Sequence, residues 1–179
     1  METGKRRYLP PVRLFDAGAV DGLLGDLRDC YRAVFCAPPW NEPSQRAEEF
    51  AVAVRQHAHQ AGFVGAYVAD SQGVIVGFAY GFDTAQPFPT AGSYATLADL
   101  LGERTDELVG RREVREVAVH PDVRQRGLGR ALLAATVQDV PSWLLTASAI
   151  TTATTFYQRL GWHRLIAAGG LAVYLSPPA

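Results

Sequence analysis

The stretch Glu116-Val117-Ala118-Val119-His120-Pro121-Asp122-Val123-Arg124-Gln125-Arg126-Gly127-Leu128-Gly129-Arg130-Ala131 decides how this chain is read. An apolar strand, Val114 to Val119, runs into a turn at Pro121, and the turn opens a helix whose apolar face is Leu128, Ala131, Leu132 and Ala135. At such a junction the first backbone N–H groups of the helix lack acceptors, and the helix dipole adds positive potential. Gly127 and Gly129 remove the β-carbons that would hold an anion away, and Arg124, Arg126 and Arg130 surround the spot with charge. Charge-assisted hydrogen bonds contribute roughly 1.5–3 kcal/mol each and the dipole about 0.3–1 kcal/mol, so aimed N–H groups dominate such a cradle. The glycine pair alone is weak, since 17 glycines in 179 residues produce a Gly-x-Gly about once or twice by chance. Close strand-helix packing beside solvated arginines would use the same residues. A dinucleotide fingerprint is incomplete, because Leu132 stands where its third glycine belongs, and no Gly-Lys-Ser/Thr of a Walker loop occurs.

Downstream, Pro141 is expected to stop the helix, Trp143 to Ala147 reads as a strand, and strand-helix-strand from Val114 to Ala147 should be parallel and right-handed. Ala153, Phe156, Tyr157 and Leu160 mark a helix ending at Gly161, a residue suited to the left-handed C-terminal position. His163 to Ala167 and Leu171 to Leu175 form a final hairpin. Upstream, Val12 to Phe15 reads as a strand, and Val20, Leu23, Leu24, Leu27, Tyr31 and Val34 as one face of a helix. After the Cys36 to Pro43 loop comes a second helix, with Ser44 as N-cap. Phe63 to Ala69 and Val74 to Phe82 pair about the turn Asp70-Ser71-Gln72-Gly73. The connection from Asp83 to Gly110 holds a short helix around Ala95 to Leu101, and connections this long are more often functional than idle.

At 179 residues, 48% hydrophobic and 20% charged, the chain reads as one globular domain, 1–179. A net charge of −1 withholds the general support that nucleic-acid binding needs, and no apolar run approaches a membrane span. Cys30 and Cys36, six apart on one expected helix, face different ways, which argues against a disulfide and for a cytoplasmic protein. His57 and His59, also taken to share a helix, diverge, and His120 and His163 lack partners at ligand spacing, so no metal is expected.

These residues resemble the GNAT superfamily of acyl-coenzyme A dependent N-acetyltransferases. Its Arg/Gln-x-x-Gly-x-Gly/Ala signature is matched at every fixed position by Arg124-Gln125-Arg126-Gly127-Leu128-Gly129. A second element, aromatic-Tyr-x-x-x-Gly-aromatic, appears as Phe156-Tyr157-Gln158-Arg159-Leu160-Gly161-Trp162, and the resemblance covers roughly residues 10–175. It implies an α/β fold with a central mixed, mostly antiparallel sheet of about seven strands, helices on both faces, and a splayed parallel pair that admits a pantetheine arm. It implies acetyl-CoA as cosubstrate. Val117 N–H would then meet the thioester carbonyl, main-chain groups along Val117-Ala118-Val119 would hold the arm, and Arg124 and Arg126 would flank the loop. The pyrophosphate would lie on the N–H groups of Gln125, Gly127, Leu128, Gly129 and Arg130.

Acetyl transfer needs a neutral amine, a polarised carbonyl and a proton for the departing thiolate. The resemblance implies Tyr157 as the acid and a strand glutamate, Glu113 or Glu116, as the base, acting directly or through water. Glu113 is favoured, four residues before Val117, although both could equally be surface or salt-bridged carboxylates among Arg111, Arg112 and Arg115. The family's asparagine seven residues before the tyrosine is Ile150 here, and Thr151, Thr152 or Thr154 are the available hydroxyls. Trp40, Asn41 and Glu42, with Asp83, Phe88 and Tyr94, are the expected acceptor pocket, since carboxylates beside aromatics suit a cationic amine. The expected reaction is direct attack of a primary amine, a small molecule rather than a protein N-terminus, in a ternary complex. The alternative is a non-catalytic acyl-CoA sensing or partner-binding module. The edge of the C-terminal hairpin offers a route to a homodimer.

Overall fold

Seven strands and five α-helices run through residues 10–178, the part of the chain that the computed structural model describes. The basic cluster Lys5-Arg6-Arg7, read as a solvated tail, lies outside these residues. In chain order they are β1 (Arg13–Phe15), α1 (Val20–Phe35), α2 (Gln45–His57), β2 (Val64–Ala69), β3 (Ile75–Asp83), α3 (Ser93–Leu101), β4 (Arg112–Val119), α4 (Leu128–Val137), β5 (Ser142–Ala147), α5 (Thr151–Arg159), β6 (His163–Ala168) and β7 (Leu171–Leu175). The sheet order is β1-β2-β3-β4-β5-β7-β6, and every neighbouring pair is antiparallel except β4–β5. The mostly antiparallel seven-strand sheet with one parallel pair is therefore present as expected.

The apolar periodicities become two layers. On one face, Leu27, Tyr31 and Val34 of α1 and Phe50 and Val54 of α2 pack on Phe78, Tyr80 and Phe82 of β3. On the other, Leu128 and Leu132 of α4 meet Ala66, Val68 and Ala79, and Leu133 and Tyr157 meet Val114, Leu144 and Tyr174. No helix among the described residues is long and apolar enough to cross a membrane.

Local details depart from expectation where tertiary contacts intervene. Pro141 does not end α4: Gln138 and Asp139 turn left-handed, and the buried Arg112 of β4 donates to the Thr136 and Val137 carbonyls at 3.0 and 3.4 Å. A cation there satisfies orphan carbonyls and opposes the dipole. Ser44 has helical angles and makes no capping bond. Cys36 follows α1 as its C-terminal flank and His59 lies beyond α2, so neither residue pair shares a helix, and both thiols are free. The connection before β4 adds a 3₁₀ turn, Gly102–Glu107, to α3.

Two irregularities position the site. β4 and β5 pair only at Arg112↔Ser142, Glu113↔Trp143 and Val114↔Leu144, then separate, although β4 continues to Val119 and β5 to Ala147. Against β3, Tyr80 faces Glu116 and Gly81 faces Val114, leaving Arg115 as the extra residue of a β-bulge. Gly81 makes this possible, because a β-carbon there would lie 2.4 Å from the Glu113 carbonyl oxygen.

Candidate active site

The backbone of β4 is open where β5 leaves it. His120 N–H donates to the Val76 carbonyl at 2.9 Å, and antiparallel pairs alternate, so Ala79↔Val117 and Gly77↔Val119 are pairs that exchange no ladder bonds. The N–H and C=O groups of Val117 and Val119 therefore point toward the β5 side, into the cleft. The Val119 carbonyl accepts from Arg124 Nε at 3.1 Å, while Val117 lies beyond the last β4–β5 pair.

Past the strand end, Gln125 and Gly127 have φ of 60° and 82°, and Gly127 stands at the N-cap of α4 with no side-chain cap. The first α4 turn is closed by Ala131 N–H to the Gly127 carbonyl at 3.1 Å, which leaves the N–H groups of Leu128, Gly129 and Arg130 to an outside acceptor. A β-carbon on Gly127 would meet nothing within 4 Å, so the position needs glycine for its backbone angle and leaves open space above the amides. Gly129 differs: its β-carbon would sit 3.3 Å from the Phe156 ring, so this glycine also serves helix-helix packing. Arg126 donates to the Asp122 carbonyl at 3.3 Å, and Arg124, Arg126 and Arg130 are exposed.

A cavity of about 460 Å³ occupies the splay. One wall carries Tyr31, Phe35, Trp40, Glu42 and Arg46, from α1, the following loop and α2; the other carries Glu113, Arg115, Glu116 and Val117 of β4 with Thr146, Ile150 and Tyr157. Regular strand residues three apart face opposite ways. The bulge cancels that: Glu113 pairs with Phe82 and Glu116 with Tyr80, whose side chains share one core face, so both glutamates point to the α1/α2 side.

Their surroundings differ. Glu113 is 2% exposed, accepts a short hydrogen bond from the Tyr94 hydroxyl, and is ion-paired with Arg115 at 3.0 Å. Burial raises its carboxyl above the usual range, against the pull of Arg115 and Tyr94. Burial also raises the Glu116 carboxyl, to about 7, opposed by the Arg115 charge and assisted by Glu42. Burial and the neighbouring Glu116 push the Tyr157 phenol well above its ordinary value, so it keeps its proton at neutral pH. Glu42 Oε2 accepts from the Tyr31 hydroxyl at 2.7 Å, and Trp40 packs edge-on against Phe35.

Trp40 and Glu42 thus line the same cavity as Glu113, Glu116, Val117 and Tyr157. Asp83 and Tyr94 do not line it: Asp83 lies 3.5 Å from Arg112, and Tyr94 reaches the cavity only through Glu113. Ile150 lines the cavity, whereas the Thr154 hydroxyl is bonded to the Thr151 carbonyl. Arg46, Arg115, Tyr31 and Thr146 were not singled out from sequence. The four-residue spacing from Glu42 to Arg46 was visible, but the bulge that turns Arg115 inward leaves no local signal.

The chain matches the acetyltransferase (GNAT) domain family over residues 46–164. It belongs to the GNAT acetyltransferase family. GNAT enzymes are acyltransferases that take the acetyl group from acetyl-CoA, as the two sequence motifs implied. Among solved structures the chain is similar to "histone acetyltransferase HPA2 and related acetyltransferase" from Corynebacterium glutamicum, at 21% identity and TM-score 0.64, covering 96% of this chain and 98% of the other. It is also similar to the PaiA N-acetyltransferase of Thermoplasma acidophilum in complex with coenzyme A, at 11% identity and TM-score 0.58, covering 94% and 99%. A third is the ribosomal-protein-S18-alanine N-acetyltransferase of Escherichia coli, at 15% identity and TM-score 0.59, covering 96% and 95%. At these identities the likeness is one of fold. No curated protein matches the chain significantly.

Proposed function

We propose that this GNAT chain, a single domain, catalyses acetyl transfer from acetyl-CoA to a primary amine by direct attack in a ternary complex, with a small cationic amine as acceptor. The observation that carries the reading is one cavity, at the separation of β4 and β5, holding a carboxyl raised to about 7, a protonated phenol and an unpaired strand backbone. Acetyl-CoA would supply an activated thioester carbonyl. Its phosphates suit the amides of Gly127 to Arg130, where the missing β-carbon of Gly127 leaves room, and its extended arm suits the Val117–Val119 backbone.

Glu116 is the base. A carboxyl near 7 accepts a proton from an ammonium group far better than one near 4.5, and it is still ionised in half of the molecules at neutral pH. Glu113, tied to Arg115 and Tyr94, is less available. Tyr157 donates its proton to the departing sulfur, and Val117 N–H polarises the carbonyl without reorganising. Trp40 and Glu42 receive the cationic part of the acceptor. A cavity of about 460 Å³ suits a small molecule. β6, an edge strand, is the segment through which a second copy would pair, and the free thiols fit a cytoplasmic enzyme.

Calorimetric titration with acetyl-CoA, against ATP and NAD, tests the cradle; an amine screen by thiol release tests turnover. Binding of acetyl-CoA with release of thiol by small amines is the expected result. Binding without turnover on any amine would replace the enzyme with an acyl-CoA sensor, and no binding to the folded protein would end both readings.

A further inference from the structure

Arg115 neighbours Glu116 in sequence, yet its guanidinium is 3.0 Å from Glu113, and no Arg115–Glu116 ion pair lies within 4.0 Å among the described residues. Glu113 is in turn fixed from outside the strand: α3 delivers the Tyr94 hydroxyl to the second carboxylate oxygen, and Tyr94 is wedged edge-on against Phe88. Both glutamates face the same side only because Arg115 is the bulge residue. Without an anchor on Glu113, Arg115 has a second carboxylate within reach of its long side chain, namely Glu116. We propose that Glu113 is a positioning residue: held by Tyr94, it ties Arg115 down and leaves Glu116 unpaired to receive the acceptor's proton. The inference rests on Glu116 being the base.

Other charged and titratable groups surround Glu116. Glu42 and Arg46 face it from the α1–α2 loop and α2, Tyr31 from α1, Tyr80 from β3 and Tyr157 from α5. None of them is bonded to Glu113 or Arg115, so the Tyr94-Glu113-Arg115 chain can be dissected separately.

Carboxyl ¹³C NMR of protein labelled at glutamate Cδ reads the titration of Glu116 without any substrate, and Glu116→Gln assigns its signal among the eight glutamates. The wild-type midpoint is expected near 7. Glu113→Gln should move it down by about one unit or more, as the released guanidinium approaches, and Arg115→Met should move it up. The decisive measurement is the pair: in an Arg115→Met background, Glu113→Gln should shift the midpoint far less than it does with Arg115 present, leaving only the small direct effect of the Glu113 charge. Tyr94→Phe, which removes only a hydroxyl, is the milder probe; it should shift the midpoint down, and this shift too should vanish in the Arg115→Met background. Equal shifts from Glu113→Gln with and without Arg115 would show that Glu113 acts by its own charge and would overturn the proposal. So would a midpoint unmoved by either variant. A wild-type midpoint in the ordinary carboxylate range would instead overturn the base reading, and the Arg115 cycle would still report whether Glu113 acts through Arg115.

Discussion

The two faces of β4 present opposite kinds of chemistry. Toward α4 and α5 the strand offers the apolar side chains of Val117 and Val119, while the main-chain groups of the same residues point along the sheet into the cleft that β5 leaves and lead on to the glycine turn, so any ligand contacts made there would depend on backbone geometry. Toward α1 and α2 it offers Glu113, Arg115 and Glu116, whose behaviour depends on each other and on residues brought from α1, α2 and the loop between them, β3, α3 and α5. A backbone site tolerates side-chain changes but not changes in φ. A buried carboxylate site is the reverse, since each charge depends on its partners.

The sharpest way to separate the faces is Glu116→Gln, expected to lower kcat by about 10²–10⁴ with loss of the acidic limb of the pH-rate profile, while coenzyme A affinity measured by calorimetry stays unchanged. Tyr157→Phe should cost kcat in the same range; wild-type turnover in either variant would remove that residue from the chemistry.

A stability effect of the acidic face comes next. A carboxyl raised from 4.5 to about 7 in the folded state binds its proton more tightly folded than unfolded. Folding stability therefore falls as pH rises from 4.5 through 7, by on the order of 3 kcal/mol from this group. Denaturant titrations across that range should show a smaller fall, and greater stability at pH 8, in Glu116→Gln.

On the backbone face, Gly127→Ala adds a methyl that touches nothing within 4 Å but strains a φ of 82°. The strain costs about 1–2 kcal/mol, which should appear as a roughly 5- to 30-fold loss of coenzyme A affinity or the equivalent loss of stability. The smallest effect is expected at Glu42. Glu42→Gln keeps the Tyr31 hydrogen bond and removes a charge, so acceptor KM should rise about 3- to 10-fold with kcat nearly unchanged; an unaltered KM would place the cation elsewhere.

How much of this was legible follows the same division. The helices and hairpins were readable because apolar spacing reports directly on burial, and the glycine turn ahead of α4 because glycines and a strand-to-helix junction are local. The choice between Glu113 and Glu116 was not: a one-residue bulge reverses which side chains face together, and the bulge is set by β3, where Gly81 alone permits the close approach of Glu113's carbonyl. Tyr94 and Asp83 show the same limit from the other side. Both were expected to help build the acceptor pocket, yet Tyr94 is spent on Glu113 and Asp83, the last residue of β3, lies beside Arg112. Even the end of α4 lies not at Pro141, visible in sequence, but at the left-handed Gln138, its last carbonyls satisfied by Arg112, twenty-five residues before Val137 and brought there by the sheet.

By itself, then, the sequence determined the element order, the strand-to-helix glycine turn at Gly127–Arg130 and the family, because these rest on contacts between near neighbours and on backbone angles that few residues allow. Only the tertiary structure decided where β4 and β5 part, which glutamate lacks a partner, and what surrounds it. Those outcomes depend on register and on the burial of charge by distant segments, and the cost of burying a charge is a property of the assembled surroundings rather than of the residue that carries it.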